Sequence, residues 1–182
     1  MTIRTKAVRV LSVAALAGAC LMTTANSASA STGYPTNNML RSENSGLCVD
    51  VSGASQANGA AIIQWGCNGG SNQIWSAVYY HGNNELNSGY QLVNLNSGKC
   101  LEVPAWSTSA GTGLDQWDCN GGTNQLWSAG NGDSVGAMWW NVNGMNAGIS
   151  MVIDEPHFDK NWGTQLDQWS PNWGLNQYWV VR

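Results

Sequence analysis

Residues 48–75 read CVDVSGASQANGAAIIQWGCNGGSNQIW. The pattern returns as CLEVPAWSTSAGTGLDQWDCNGGTNQLW at 100–127 and as VIDEPHFDKNWGTQLDQWSPNWGLNQYW at 152–179. Each step is 52 residues (100 − 48 and 152 − 100), and the 28 columns align without a gap. Self-similarity at a fixed period marks a unit that cannot bury its apolar face alone and packs against its copies. The repeat boundaries fall at 31–78, 79–130 and 131–182, leaving no room for a second domain.

Within each copy the periodicity is that of β structure. Val49 and Val51 alternate with Cys48 and Asp50, Leu101 and Val103 with Cys100 and Glu102, and Ile153 with Val152 and Asp154. Period two reads as a strand with one buried face, the aliphatic one, while the acid takes the opposite side. Gly/Asn/Ser clusters such as Asn68-Gly69-Gly70-Ser71 are turn chemistry. No helix of three turns is evident. Three such all-β units are expected to pack around a shared axis.

Outside the repeats, Arg4, Lys6 and Arg9 precede an apolar run from Val10 to about Met22, and small residues at Ala28 and Ala30 suit signal peptidase. Residues 1–30 are therefore expected to be a secretory signal peptide. A lipoprotein signal ending at Cys20 fits less well, because Ala17 stands where a large aliphatic residue belongs. The run is too short for a good membrane span, and no later segment is apolar enough for one. Cleavage leaves 152 residues (182 − 30), one domain's worth. The mature part keeps four of the seven basic residues against all eleven acids, a net charge near −7 (4 − 11). That sign opposes nucleic-acid and anionic-membrane partners. Four cysteines remain in an exported chain, which implies disulfides and an extracellular setting. Of the three connectivities, the equal intervals 48 to 67 and 100 to 119 select Cys48 with Cys67 and Cys100 with Cys119.

The order C-x-D/E, then Q-W with Cys two residues beyond, then N-Q-x-W resembles the ricin B-chain lectin repeat. Its Gln-x-Trp signature stands here three times in phase, as Gln73-Ile74-Trp75, Gln125-Leu126-Trp127 and Gln177-Tyr178-Trp179. The resemblance implies an all-β fold, the β-trefoil, with twelve strands, four per repeat, in a short barrel with a hairpin cap. It also implies disulfides within single repeats and, in each repeat, a sugar site. That site takes an acid from the C-x-D strand, an aromatic from the next strand and an Asn before the Gln-x-Trp.

Carried over by position, the sites are Asp50, Trp65 and Asn72 in the first repeat, Glu102, Trp117 and Asn124 in the second, and Asp154, Trp169 and Asn176 in the third. The chemistry suits a pyranose, whose C–H face an aromatic ring can cover and whose hydroxyls a carboxylate and an amide can bind. The first repeat matches the pattern best. The second carries the longer Glu102, and the third has Val152 and Pro171 in place of its cysteines. Where many family members have Gln, two residues before the aromatic, this chain has Ile63, Asp115 and Asp167; an Asp there should repel the ligand-binding acid and raise its pKa. Trp75, Trp127 and Trp179 are expected in the core, and Gln73, Gln125 and Gln177 as structural anchors. Trp106, Trp139, Trp140, Phe158, Trp162 and Trp173 lie off the repeated positions. Three of them, Phe158, Trp162 and Trp173, crowd the second half of the third repeat and either extend a saccharide platform or fill space left by the missing disulfide.

The reading is a secreted carbohydrate-binding protein for saccharides or polysaccharides, needing no cofactor or metal, with up to three shallow sites. The alternative is a trefoil with decayed sugar sites that binds or inhibits a protein partner. An enzyme is not expected: a glycosidase needs two carboxylates about 5–9.5 Å apart across one bond. The repeat-related acids belong to separate lobes, and His81 and His157 occupy no repeated position.

Overall fold

The computed structural model describes residues 36–133 and 136–182; the expected signal peptide at 1–30 lies outside the described residues. The first repeat supplies β1 (Leu40–Ser42), β2 (Cys48–Val51), β3 (Ala60–Trp65) and β4 (Trp75–Tyr80). The second supplies β5 (Gly89–Asn94), β6 (Cys100–Glu102), β7 (Thr112–Gly113), β8 (Asp115–Trp117) and β9 (Trp127–Asp133). The third supplies β10 (Gly136–Asn141), β11 (Val152–Asp154), β12 (Asp167–Trp169) and β13 (Trp179–Val181). The count among described residues is thirteen rather than twelve because the second repeat's third strand breaks at Leu114 into β7 and β8.

Six strands close a ring. β13 pairs with β1, β4 with β5 and β9 with β10, all antiparallel. The remaining seams are Asn38↔Trp75, Tyr90↔Trp127 and Ala137↔Trp179, so each Gln-x-Trp tryptophan stands at a seam of the barrel. The hairpins β2–β3, β6–β8 and β11–β12 cap one end. They are tied in a cycle: Ile62 N–H donates to Leu114 O (3.0 Å), Leu114 N–H to Leu166 O (2.9 Å), and Leu166 N–H to Ile62 O (2.9 Å). The fold is an all-β trefoil.

The core runs along the pseudo-three-fold axis through Val49, Leu101 and Ile153, Ile62, Leu114 and Leu166, and the three Gln-x-Trp tryptophans. Each of those indoles donates Nε1–H to the carbonyl just before a repeat acid: Trp75 to Val49 O (3.1 Å), Trp127 to Leu101 O (3.1 Å) and Trp179 to Ile153 O (3.2 Å). A barrel tryptophan thus pins the strand that carries each acid. The third repeat departs from the 52-residue step in its first strand. Asn141 pairs with Trp127 as Asn94 pairs with Trp75, a step of 47 (141 − 94). The residues displaced there reappear before β11 as a longer loop containing α1 (Val142–Asn146). On that step Trp139 occupies the place of Leu92 and is a core residue, 1% exposed, rather than an aromatic off the repeated positions.

Two disulfides join Cys48 to Cys67 and Cys100 to Cys119. The third repeat has none. Its hairpin is held by backbone pairing of Val152, Ile153 and Asp154 with Trp169, Gln168 and Asp167.

Candidate functional site

The acids sit on the cap hairpins, and the expectation that they lie on an open strand face needs correcting. β2, β6 and β11 are buried on both faces, with Asp50, Glu102 and Asp154 only 3%, 6% and 3% exposed. The physical reason is the Gln-x-Trp glutamine, which folds over the acid. Gln177 Nε2 donates to Asp154 Oδ1 (2.7 Å) and Ser170 O (3.0 Å), and its Oε1 accepts from Asn172 N–H (2.8 Å). Gln125 and Gln73 repeat the arrangement on Glu102 Oε2 (2.7 Å) and Asp50 Oδ2 (2.8 Å). A buried carboxylate held this way keeps a fixed geometry.

The asparagines add to this grip. Asn176 Nδ2 donates to the same Asp154 Oδ1 (2.8 Å) and to Glu155 O (3.1 Å), and Asn124 Nδ2 to Glu102 Oε2 (3.3 Å) and Val103 O (2.9 Å). In both repeats the protein's donors converge on one carboxylate oxygen. Among the described residues none is directed at Asp154 Oδ2 or Glu102 Oε1. In the first repeat, Asn72 Nδ2 bonds Val51 O instead (3.3 Å).

Strand register sets a second acid against the first. Glu102 lies opposite Asp115 and Asp154 opposite Asp167, whereas Asp50 faces Ile63. Burial is the main cause that pushes Asp115 and Asp167 up to about 7, and repulsion from Glu102 and Asp154 adds to it. Burial raises Asp154 to about 6 and also raises Glu102 and Asp50, against the lowering effect of their amide donors. Near pH 7 Asp115 and Asp167 are therefore about half protonated. Asp115 Oδ1, Asn124 Oδ1, Asp167 Oδ1 and Asn176 Oδ1 are buried and make no hydrogen bond among the described residues.

Clefts open beside these pairs. Asp154, Pro156, Phe158, Asp167, Trp169 and Asn176 are among the residues lining one of about 170 Å³ in the third repeat. Glu102, Trp106, Asp115 and Trp117 are among those lining one of about 240 Å³ in the second. Both fall below the 300–1,000 Å³ of pockets for drug-sized ligands and match a shallow, ring-sized ligand. Trp117 and Trp169 are each 42% exposed and Trp65 38%, so all three present a free ring surface.

The opposite walls are two aromatics that the sequence reading set off the repeated positions. Trp106 and Phe158 follow Pro104-Ala105 and Pro156-His157 in tight turns where both last residues have positive φ (52–53° and 57°). The equivalent turn of the first repeat is Ser52-Gly53-Ala54. Ala54 offers no ring, so the repeat nearest the pattern in sequence has no aromatic wall from that turn. The 52-residue step aligns 54, 106 and 158 and carried that signal.

The Q-W glutamines, passed over in sequence, interlock the three sites. Gln64 Nε2 bonds Asp159 O and Asn161 O, Gln116 Nε2 bonds Ser55 O and Ala57 O, and Gln168 Nε2 bonds Ser107 O and Ser109 O, all at 2.7–3.1 Å. Each site's aromatic strand is thereby clasped by a loop of another repeat. Trp162, on such a loop, tilts against Trp65 with ring centroids 5.2 Å apart.

The sequence profile of the ricin-type beta-trefoil lectin domain-like family matches residues 31–87 and 79–169. The chain belongs to this family. Among solved structures, the trefoil superposes on the designed three-fold symmetric protein ThreeFoil with a TM-score of 0.70 and 31% identity, covering 79% of this chain and 96% of that one. It matches an exo-β-1,3-galactanase from Clostridium thermocellum equally well (TM-score 0.70, 31% identity), over 80% of this chain but 30% of the enzyme. The Macrolepiota procera ricin B-like lectin, solved with lactose, shares the fold at TM-score 0.62 and 18% identity, over 82% and 96% of the two chains. A curated relative, serine protease 1 of Rarobacter faecitabidus, is 43% identical over 42 residues, 23% of this chain; the match spans only 8% of that protein's length. As a ricin-type trefoil, the domain is a carbohydrate-binding module at the level of its family. Among the described residues there is no cluster of three or more His, Cys, Asp or Glu suited to a metal ion, and no helix is long and apolar enough to cross a membrane.

Proposed function

We propose that the chain is an exported, non-catalytic lectin that binds saccharide chains through the clefts of its third and second repeats, with a weaker site in the first. The observation that carries this is the third-repeat cleft. There a half-exposed Trp169 and the Phe158 wall flank Asp154, whose Oδ1 is anchored by two amides. The aromatic surface takes the C–H face of a sugar ring. The unanchored Asp154 oxygen accepts from one hydroxyl, and Asp167, held up at about 7 and so partly protonated near neutrality, can donate to another. Glu102, Asp115, Trp117 and Asn124 repeat the set in the second repeat, and Asp50, Trp65 and Asn72 supply the first. Sites this shallow bind weakly one at a time, and several on one rigid body gain avidity on a polymer.

Export is supported by the two disulfides and by the signal-like residues 1–30. Each acid pair is fastened by amides and sits in its own repeat, which suits fixed binding rather than bond cleavage. The test is retention of the mature protein on insoluble polysaccharides and a glycan array, with Trp65→Ala, Trp117→Ala and Trp169→Ala singly and together. Retention that falls with Trp169→Ala and Trp117→Ala supports the lectin. A folded wild type that binds no saccharide but captures a protein partner, unaffected by competing sugar, would replace it with the scaffold reading.

A further inference from the structure

Positions 69, 121 and 173 are equivalent on the 52-residue step, and all three have left-handed backbone: Gly69 at φ 73°, Gly121 at 74° and Trp173 at 61°. Two repeats use glycine there, as the conformation demands, and the third uses the bulkiest side chain available. Core packing does not account for it, since Trp173 is 58% exposed. Strain retained at an exposed aromatic beside a cleft is a reason to look for a ligand.

Its surroundings supply one. Asn172, one residue before, lines the third-repeat cleft. Gly174, one residue after, lies against that cleft's wall: a Cβ there would stand 2.7 Å from Phe158 Cζ. Trp173 itself tilts against Trp140, with ring centroids 6.0 Å apart and planes at 60°. The other repeats offer a comparison. At Gly121 in the second repeat, which has a cleft, the Tyr80 ring occupies the place where a side chain would go. At Gly69 in the first, nothing lies within 4 Å of that place. An aromatic ring thus stands beside each of these two clefts.

We infer that Trp173, braced by Trp140, is a second sugar platform, so that the third repeat holds at least two consecutive residues of a saccharide chain. One ring sits in the cleft over Trp169, and the next stacks its C–H face on Trp173, whose Nε1–H is free to meet a hydroxyl. The substrate class is an oligosaccharide rather than a monosaccharide. The inference rests on the sugar reading of the third repeat.

The test isolates that repeat in a Trp65→Ala/Trp117→Ala parent, titrated calorimetrically with galactose and β-1,3-galactobiose and with xylose and xylobiose. In at least one series the disaccharide is expected to bind about five- to tenfold tighter than its monosaccharide. Trp173→Gly installs the residue of the other two repeats, so its melting temperature should not fall. It should bring the disaccharide within twofold of the monosaccharide while leaving monosaccharide affinity unchanged. A parent that binds both ligands equally in each series, or a chain-length gain that survives Trp173→Gly, overturns the inference. If parent and wild type alike bind no sugar, the sugar reading itself has failed and takes the platform with it. A wild type that binds while the parent does not removes the third repeat as the site.

Discussion

Replacing Asp167 with Asn should flatten the dependence of stability on pH. Asp167 is 8% exposed, faces Asp154 across the β11–β12 ladder and is held up at about 7, against 3.8 for a free aspartate. Between those values the folded chain binds a proton that the unfolded chain has released. Unfolding free energy must then fall as pH rises from about 4 to about 7, and level off above that. A difference of 3.2 pH units (7 − 3.8) at 1.36 kcal/mol each sets a ceiling of about 4 kcal/mol for this one group. Asp115, also held up to about 7, falls in the same window and remains in the variant. Asn keeps the shape, cannot ionise, and can donate to Asp154. Asp118 and Asp159, which hydrogen bonds hold below the usual range, lose their contribution only in stronger acid. Urea unfolding at steps from pH 4.5 to 8.5 isolates the effect, provided the slope m stays constant. The wild type should lose stability across this range, and the variant should lose distinctly less, gaining on the wild type most above pH 7. Parallel profiles for the two proteins would refute the argument that the acid pair is compressed by the fold.

Gln177→Leu removes all three hydrogen bonds of a buried side chain at once and should destabilise the protein by about 3 kcal/mol in the same urea assay. Because Gln177 lowers the Asp154 pKa, the variant should also lose stability with rising pH more steeply than the wild type. Cys48→Ser/Cys67→Ser opens a crosslink of sequence separation 19 and should cost about 3 kcal/mol on the chain-entropy account, read as a shift in the denaturation midpoint. Sugar hydroxyls that donate to Asp154 favour its ionised form. Affinity of the third repeat should therefore weaken as pH falls through about 6, and again as pH rises through about 7 and Asp167 loses the proton that it donates, measured by calorimetric titration from pH 5 to 8.

The repeat made most of the fold legible. The alternation in CVDV, CLEV and VIDE announced strands with a buried aliphatic face, and the Gln-x-Trp tryptophans announced the core by recurring in phase. The acid pairs were legible too, because Asp115 and Asp167 stand two residues before the aromatic in the strand opposite. What escaped the reading was non-local or conformational. The burial of the acids depends on Gln73, Gln125 and Gln177 arriving from more than twenty residues away. Trp106 and Phe158 become cleft walls only through paired positive-φ residues, which their residue types disfavour. Trp139 looked like an extra aromatic because the third repeat steps by 47 rather than 52 in its first strand and makes up the difference in the loop containing α1.

The central claim is that sugar meets the half-exposed tryptophans of the cap clefts and not the barrel. It is tested most directly by following the indole N–H resonances of the ¹⁵N-tryptophan-labelled protein during titration with a saccharide that it retains. The account predicts that Trp169 and Trp117 shift and saturate while Trp75, Trp127 and Trp179, bonded to backbone carbonyls in the core, stay still. Shifts confined to tryptophans outside the two clefts, with Trp169 and Trp117 unmoved at saturation, would contradict it.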